Sequence, residues 1–167
     1  LEGASVSYGK TTVYLAIVEL IRAYFKIQDQ DDSRHIREKM TGKLLTLDKT
    51  LDSVLPALLA LFDVAVDNAE WQALDPSRRR QRTLDAVSRL VIRESQVQPV
   101  LLVCEDLHWI DAETQALLDS LVESLPTAQM LLLTNYRPEN QHGWGSRTYY
   151  TQRRLDPLPP GAPDESL

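Results

Sequence analysis

The chain has 167 residues, 43% hydrophobic and 25% charged, the balance of one ordinary globular domain with a core of its own. Its formal net charge of −6 gives no bulk attraction to nucleic acid or to an anionic membrane. No apolar run reaches the length of a bilayer span and no secretory signal opens the chain; a lone cysteine, Cys104, excludes an internal disulfide and fits a reducing cytoplasm.

In chain order, residues 1–7 are short and small and read as the end of a strand. Thr11 or Thr12 is placed to cap a helix carrying Tyr14, Leu15, Ile17, Val18, Ile21 and Phe25, apolar around most of its circumference and therefore buried. Asp31-Asp32-Ser33 is a second capping cluster, ahead of a helix with Ile36, Met40 and Leu44 on one side. Ser53 with Pro56 opens a short apolar helix from Ala57 to Phe62. Asp75-Pro76 starts a long one, since proline is preorganised for a first helical turn. That helix sets Leu84, Val87 and Val91 against Arg78, Arg82, Arg89 and Arg93 on the opposite face. The basic run Arg78-Arg79-Arg80-Gln81-Arg82 lacks interleaved aromatics and reads as a solvated face rather than a nucleic-acid surface.

The segment from Val100 to Glu105 is short and, through Cys104, continuously apolar, as expected of a strand buried on both faces of a parallel sheet. Asp111 caps the next helix, with Leu117, Leu121 and Val122 inward, and Met130 to Thr134 is a second apolar strand. Strand, helix and strand in this order imply a parallel pair. The helical segment from Thr12 to Ser95 is longer than a crossover requires and reads as an insertion. Asn135 to Ser146 is a polar loop, Thr151 to Leu155 a short edge strand, and residues 156–167 a proline-rich, disordered tail.

The chemistry concentrates where the strands end. Glu105 and Asp106 follow the first apolar run directly, and carboxylates at the end of a buried strand need a partner or a metal. In open α/β sheets the carboxyl ends of the strands are where ligands bind. The second run ends in Thr134-Asn135-Tyr136-Arg137, at the same edge if the strands are parallel. Thr134 or Asn135, and Arg137, are then placed to meet a γ-phosphate; the Arg137 fork suits phosphate oxygens that exist only before hydrolysis. His35, His108 and His142 stand in no metal-ligand spacing, and Cys104 reads as a core residue with an inert thiol. Trp144 reads equally as a partner contact or as a packed loop anchor.

With these residues in view, the chain resembles the P-loop ATPase domain of STAND-type signalling ATPases. It looks closest to the AAA-like module that follows a class III adenylate/guanylate cyclase domain in bacterial multidomain proteins. The resemblance rests on Leu101 to Asp111, Leu131 to Pro138, Gln141 to Ser146 and Leu155 to Pro159, and extends over Ser5 to Ala73. It implies an α/β fold: a P-loop NTPase-like parallel sheet flanked by helices, with a helical insertion, incomplete in this chain. Residues 1–155 would form the partial ATPase domain. It implies ATP and Mg²⁺ as cofactors, with Glu105 and Asp106 as the Walker B acids. Glu105 takes the metal position, Asp106 the water-activating position, and Arg137, with Asn135 nearby, the sensor position. The family pattern usually begins with aspartate, so Glu105 departs from it by one methylene. The partners implied are ATP and an attached effector such as a cyclase or a transcription-regulator module, with room for a nucleotide-dependent oligomer.

Ala4-Ser5-Val6-Ser7-Tyr8-Gly9-Lys10-Thr11 satisfies a relaxed phosphate-loop pattern. Val6 and Tyr8 stand where small residues are wanted, and little strand precedes it, so it reads as a decoy. The true loop is then expected upstream of Leu1, which is not a Met, and the chain reads as a fragment that binds nucleotide weakly. Two alternatives stay open: a non-hydrolysing interaction scaffold on the same fold, and a self-contained NTPase that uses Lys10 and Thr11.

Overall fold

The protein is described by a computed structural model over residues 2–3, 14–137 and 143–153. Three parallel strands form one sheet in the order β1 (Glu2–Gly3), β2 (Val100–Cys104), β3 (Met130–Thr134). β2 and β3 pair in register from Val100 opposite Met130 to Cys104 opposite Thr134, and Glu2 pairs with Val103. Between β1 and β2 run α1 (Leu15–Phe25), α2 (Ser33–Leu47), α3 (Leu55–Ala60), α4 (Ala69–Gln72) and α5 (Pro76–Val97). The helical segment is thus one long connection between neighbouring parallel strands. α6 (Ala112–Ser124) makes the shorter link from β2 to β3. The fold is α/β, a parallel sheet with helices, as the sequence implies.

Capping explains most of the helix starts. Asp32 accepts from the His35 amide at 2.9 Å, and Asp75 from the Arg78 amide at 3.0 Å with Pro76 in the first turn. Asp111 receives the Glu113 and Thr114 amides at 3.0 and 2.9 Å, and its second oxygen takes the Thr114 hydroxyl at 2.9 Å. Asp111→Ala therefore leaves orphaned amides beside the buried Thr114. It is expected to cost about 1–2 kcal/mol in urea unfolding. α1 departs from expectation. It begins at Leu15, behind a left-handed Tyr14 (φ 68°) and with no side-chain cap. Thr11 and Thr12 lie outside the described residues. α3 begins two residues ahead of the expected Ala57, because a 3₁₀ turn over Lys49–Val54, capped by Asp48, leads straight into it.

The core is built by Ile17 and Ile21 of α1, Met40 and Leu44 of α2, Leu58 of α3, Val87 and Leu90 of α5, and Leu121 of α6. A buried polar link crosses it. The Tyr24 hydroxyl donates to Glu94 at 2.6 Å, and Gln98 donates to the other carboxylate oxygen. Burial, reinforced by the Glu94 hydrogen bond, pushes the Tyr24 phenol well above its ordinary value. Lys43 lies over the Tyr24 ring at 3.5 Å and donates to its carbonyl at 2.6 Å.

Arg93 of α5 meets Asp48 at 2.7 Å. The Arg93 hydrogen bond, helped by the Thr50 amide and hydroxyl, holds the Asp48 carboxyl down at about 2. A carboxyl depressed by folding stabilises the fold above its unfolded pKa of about 3.9, and that contribution fades as pH falls through the folded value. Wild type is expected to exceed Asp48→Asn in stability above about pH 5, and the gap to close towards about pH 2, in urea unfolding across that range.

The central strand corrects one expectation. β2 is buried on one face only: Leu102 is 1% exposed and Leu101 44%. On β3, Leu131 and Leu133 are 63% and 56% exposed. Register puts Leu101 beside Leu131 and Val103 beside Leu133, so the exposed leucines share one face. Among the described residues the helices pack on the Leu102 side. A parallel strand is covered on both faces only where helices flank both. A second correction concerns the expected edge strand: Thr151–Arg153 are irregular, and residues 154–155 of it, like the proline-rich tail, lie outside the described residues.

Candidate functional site

Because β2 and β3 are parallel and in register, their chains leave the sheet at one edge, side by side at Cys104 and Thr134. Glu105 and Asp106 follow β2, and Asn135 to Arg137 follow β3. The turn after β2 is sharp: Asp106 is left-handed, with φ 52° and ψ 50°. Such a conformation costs a β-carbon residue about 1 kcal/mol, least for Asp and Asn. Neighbouring hydrogen bonds compensate. The Asn135 amide donates to the Cys104 carbonyl at 3.3 Å, and the Leu107 amide to the Asn135 carbonyl at 3.1 Å. The Asp106 amide donates to the Asn135 side-chain oxygen at 2.5 Å. The three bonds tie the two strand ends into one unit.

Each residue singled out at this edge can now be placed. Glu105 is exposed, Asp106 partly exposed, Thr134 half-buried at the end of β3, and Asn135 and Arg137 are exposed. Arg137 is two residues beyond the Asn135 that binds the Asp106 amide, a reach of about 7 Å of backbone. The stretch between them is anchored, since the Tyr136 and Tyr150 hydroxyls hydrogen-bond at 2.8 Å. The loop bearing Tyr150 is fixed to α6 in turn. The Trp144 indole donates to Asp119 at 2.7 Å, and the Tyr149 hydroxyl to the Val122 carbonyl at 3.0 Å. Trp144 is thus a buried loop anchor. Lys10 and Thr11 lie outside the described residues.

The edge carries two carboxylates, Glu105 and Asp106, after β2 and a guanidinium, Arg137, after β3. Among the described residues no group of three His, Cys, Asp or Glu side chains could hold a metal. Two carboxylates nonetheless suit Mg²⁺, which keeps several waters and takes its remaining ligands from phosphate. Cys104, just behind the acids, has its thiol pushed up to about 11 by burial and stays protonated.

Two neighbours escaped the sequence reading. The His108 ring is 11% exposed, with Nδ1 3.9 Å from an Asp106 oxygen. Only their spacing of two residues hints at this, and it becomes contact because the chain turns at Asp106. Arg80, from the basic run taken as solvated, reaches Glu113 in the first turn of α6 at 3.3 Å. It draws the start of α5 to the end of the sheet where β2 leads into α6. Arg78 pairs with Asp75 at 3.4 Å, and Arg79 donates to the Gln72 carbonyl at 2.9 Å. Arg78 to Arg82 nonetheless all remain exposed, the solvated face that the sequence implies.

No helix among the described residues is long and apolar enough to cross a membrane. Comparison with curated proteins and with solved structures returns no significant match. A family model described as AAA ATPase domain does match, over residues 1–133. The matched region takes in the whole helical segment, β2 with its acids, α6 and most of β3. A parallel sheet ending in paired carboxylates, matched over most of its length by that model, belongs to the AAA ATPase domain family.

Proposed function

We infer that this chain supplies the metal-holding, water-activating and γ-phosphate-sensing side of the nucleotide site in a signalling ATPase. Glu105 would hold Mg²⁺ through its carboxylate. Asp106 orients the attacking water and accepts its proton. Arg137 donates to the γ-phosphate, and Thr134 and Asn135 complete the nucleotide-facing rim. When bound, Mg²⁺ neutralises charge on the phosphates. The observation that supports this reading is the hydrogen-bonded junction of the two strand ends, which ties the Asp106 turn to Asn135, two residues before Arg137.

In this reading the run from Ala4 to Thr11 is not the phosphate-cradling loop of the working ATPase, since Val6 and Tyr8 stand where such a loop wants small residues. Residues 1–155 form the ATPase domain and 156–167 a tail. The output is a nucleotide-dependent conformational switch, working in the cytoplasm on an attached effector of the cyclase or transcription-regulator kind.

The test is equilibrium binding to the full-length protein. Arg137→Ala is expected to erase about a tenfold to hundredfold preference for ATP over ADP, the worth of a charged hydrogen bond to phosphate. An unchanged preference contradicts the sensor role. A non-hydrolysing scaffold is the second reading, favoured by the exposed Leu101, Leu131 and Leu133 face. It predicts partner association indifferent to nucleotide.

A further inference from the structure

α5 and α6 run side by side in the same direction: Arg80 meets Glu113 at 3.3 Å, and further along Ser88 meets Ser120 at 3.5 Å. α6 starts at Ala112, just after the turn that carries Glu105 and Asp106. The first turns of α5 therefore stand at the carboxyl edge of the sheet, level with the start of α6. They bring Arg78, Arg79, Arg80 and Arg82 there, all exposed. Two of these charges are compensated locally, Arg78 by Asp75 at 3.4 Å and Arg80 by Glu113. Arg79 donates to the neutral Gln72 carbonyl, and among the described residues no carboxylate pairs with it or with Arg82. Like charges crowded at the positive end of a helix work against that helix, so the stability of α5 does not account for the run. The wider field has the opposite sign. The chain carries 24 acidic residues against 18 basic ones, and Glu105, Asp106 and Asp111 stand at this same edge. A triphosphate approaching that edge is repelled unless positive charge lies beside it.

We propose that Arg79 and Arg82 form a positive lip that draws the triphosphate tail of a nucleotide from solution towards the carboxyl edge of the sheet. The proposal rests on the ATPase reading and adds to it the way the substrate arrives. The two arginines act through their field, over a Debye length of about 8 Å at physiological salt, and stand back from the docked nucleotide. Exposure suits this role, because a solvated guanidinium keeps its charge and its field reaches outward. Such charges raise the association rate and leave dissociation to the groups that hold the ligand. An acidic protein surface is the competing polyanion. The placement of the lip beside the acids that a triphosphate must pass favours the nucleotide.

Stopped-flow binding of Mg²⁺ and a fluorescent methylanthraniloyl ATP to the full-length protein tests this. It compares wild type with Arg79→Gln/Arg82→Gln and Arg79→Lys/Arg82→Lys, at ionic strengths from about 0.01 M to about 0.5 M. At the lowest salt the glutamine pair is expected to slow association about threefold to tenfold and to leave dissociation within about twofold. The lysine pair is expected to associate as wild type does, since it keeps the charge. At the highest salt all three are expected to converge. A glutamine pair that associates as fast as wild type at low salt overturns the lip, while wild-type binding leaves the ATPase reading standing. Faster dissociation at an unchanged association rate makes the arginines nucleotide contacts and also overturns it. A slowing that persists at high salt, or that the lysine pair shares, is structural and contradicts steering. If wild type binds no ATP analogue at any salt, both the lip and the ATPase reading fall.

Discussion

Asp106→Asn is expected to reduce ATP hydrolysis by the full-length protein about 10²- to 10⁴-fold, the worth of a positioned general base, with ATP still bound. The amide is nearly isosteric with the carboxylate but is a far weaker proton acceptor. The substitution is also gentle on the backbone. Residue 106 is left-handed, and asparagine tolerates that region as well as aspartate does. Asp106→Ala would add a backbone penalty to the chemical one and blur the result. His108 Nδ1 lies 3.9 Å from the carboxylate, beyond hydrogen-bond distance. Undiminished hydrolysis in Asp106→Asn would assign water activation to another group.

The largest expected effect on stability separates two leucines that the sequence alone does not distinguish. Leu121 of α6 is fully buried, and Leu131 of β3 is 63% exposed. Leu121→Ala removes methylenes from a packed core and leaves a cavity, so urea unfolding should report a loss of about 2–5 kcal/mol. Against a typical total of about 5–15 kcal/mol, that is a large fraction. Leu131→Ala should cost under about 0.5 kcal/mol, the range of surface substitutions. A strand covered on both faces would make the two losses alike. Comparable values would therefore contradict the one-sided sheet.

That contrast marks how far the sequence reads through to the fold. Asp32, Asp75 and Asp111 each announce a helix because capping is local: a carboxylate and an amide two or three residues away suffice. The bounds of β3, Met130 to Thr134, are legible for a similar reason, since an apolar run ends against polar residues. Whether a second layer covers that run depends on helices elsewhere in the chain, which hydrophobic pattern does not encode. The same limit applies at the start of α1. Tyr14 is left-handed, and its hydroxyl feels burial and the charges of Arg80, Glu113 and Asp111, all distant in sequence. Nothing local distinguishes it from an ordinary helical residue.

At the site the division is similar. That the two strands end in polar residues at one edge is legible, because Glu105-Asp106 and Thr134 to Arg137 follow their apolar runs directly. The Asn135 contact with Asp106 spans 29 residues and exists only once β2 and β3 are paired in register. Arg80 was hidden by its neighbours. One arginine of a basic run reaches across to α6, and only the packing of α5 on α6 decides which.

The most direct measurement replaces Mg²⁺ with paramagnetic Mn²⁺ in the nucleotide complex of the full-length protein and follows the broadening of backbone amide signals by NMR. Bound Mn²⁺·ATP should broaden Glu105, Asp106 and Arg137 first, and leave His35 of α2 and Arg82 of α5 sharp. Broadening that spares the ends of β2 and β3 and centres elsewhere would show that the nucleotide's metal does not dock on this rim, and the account would fail.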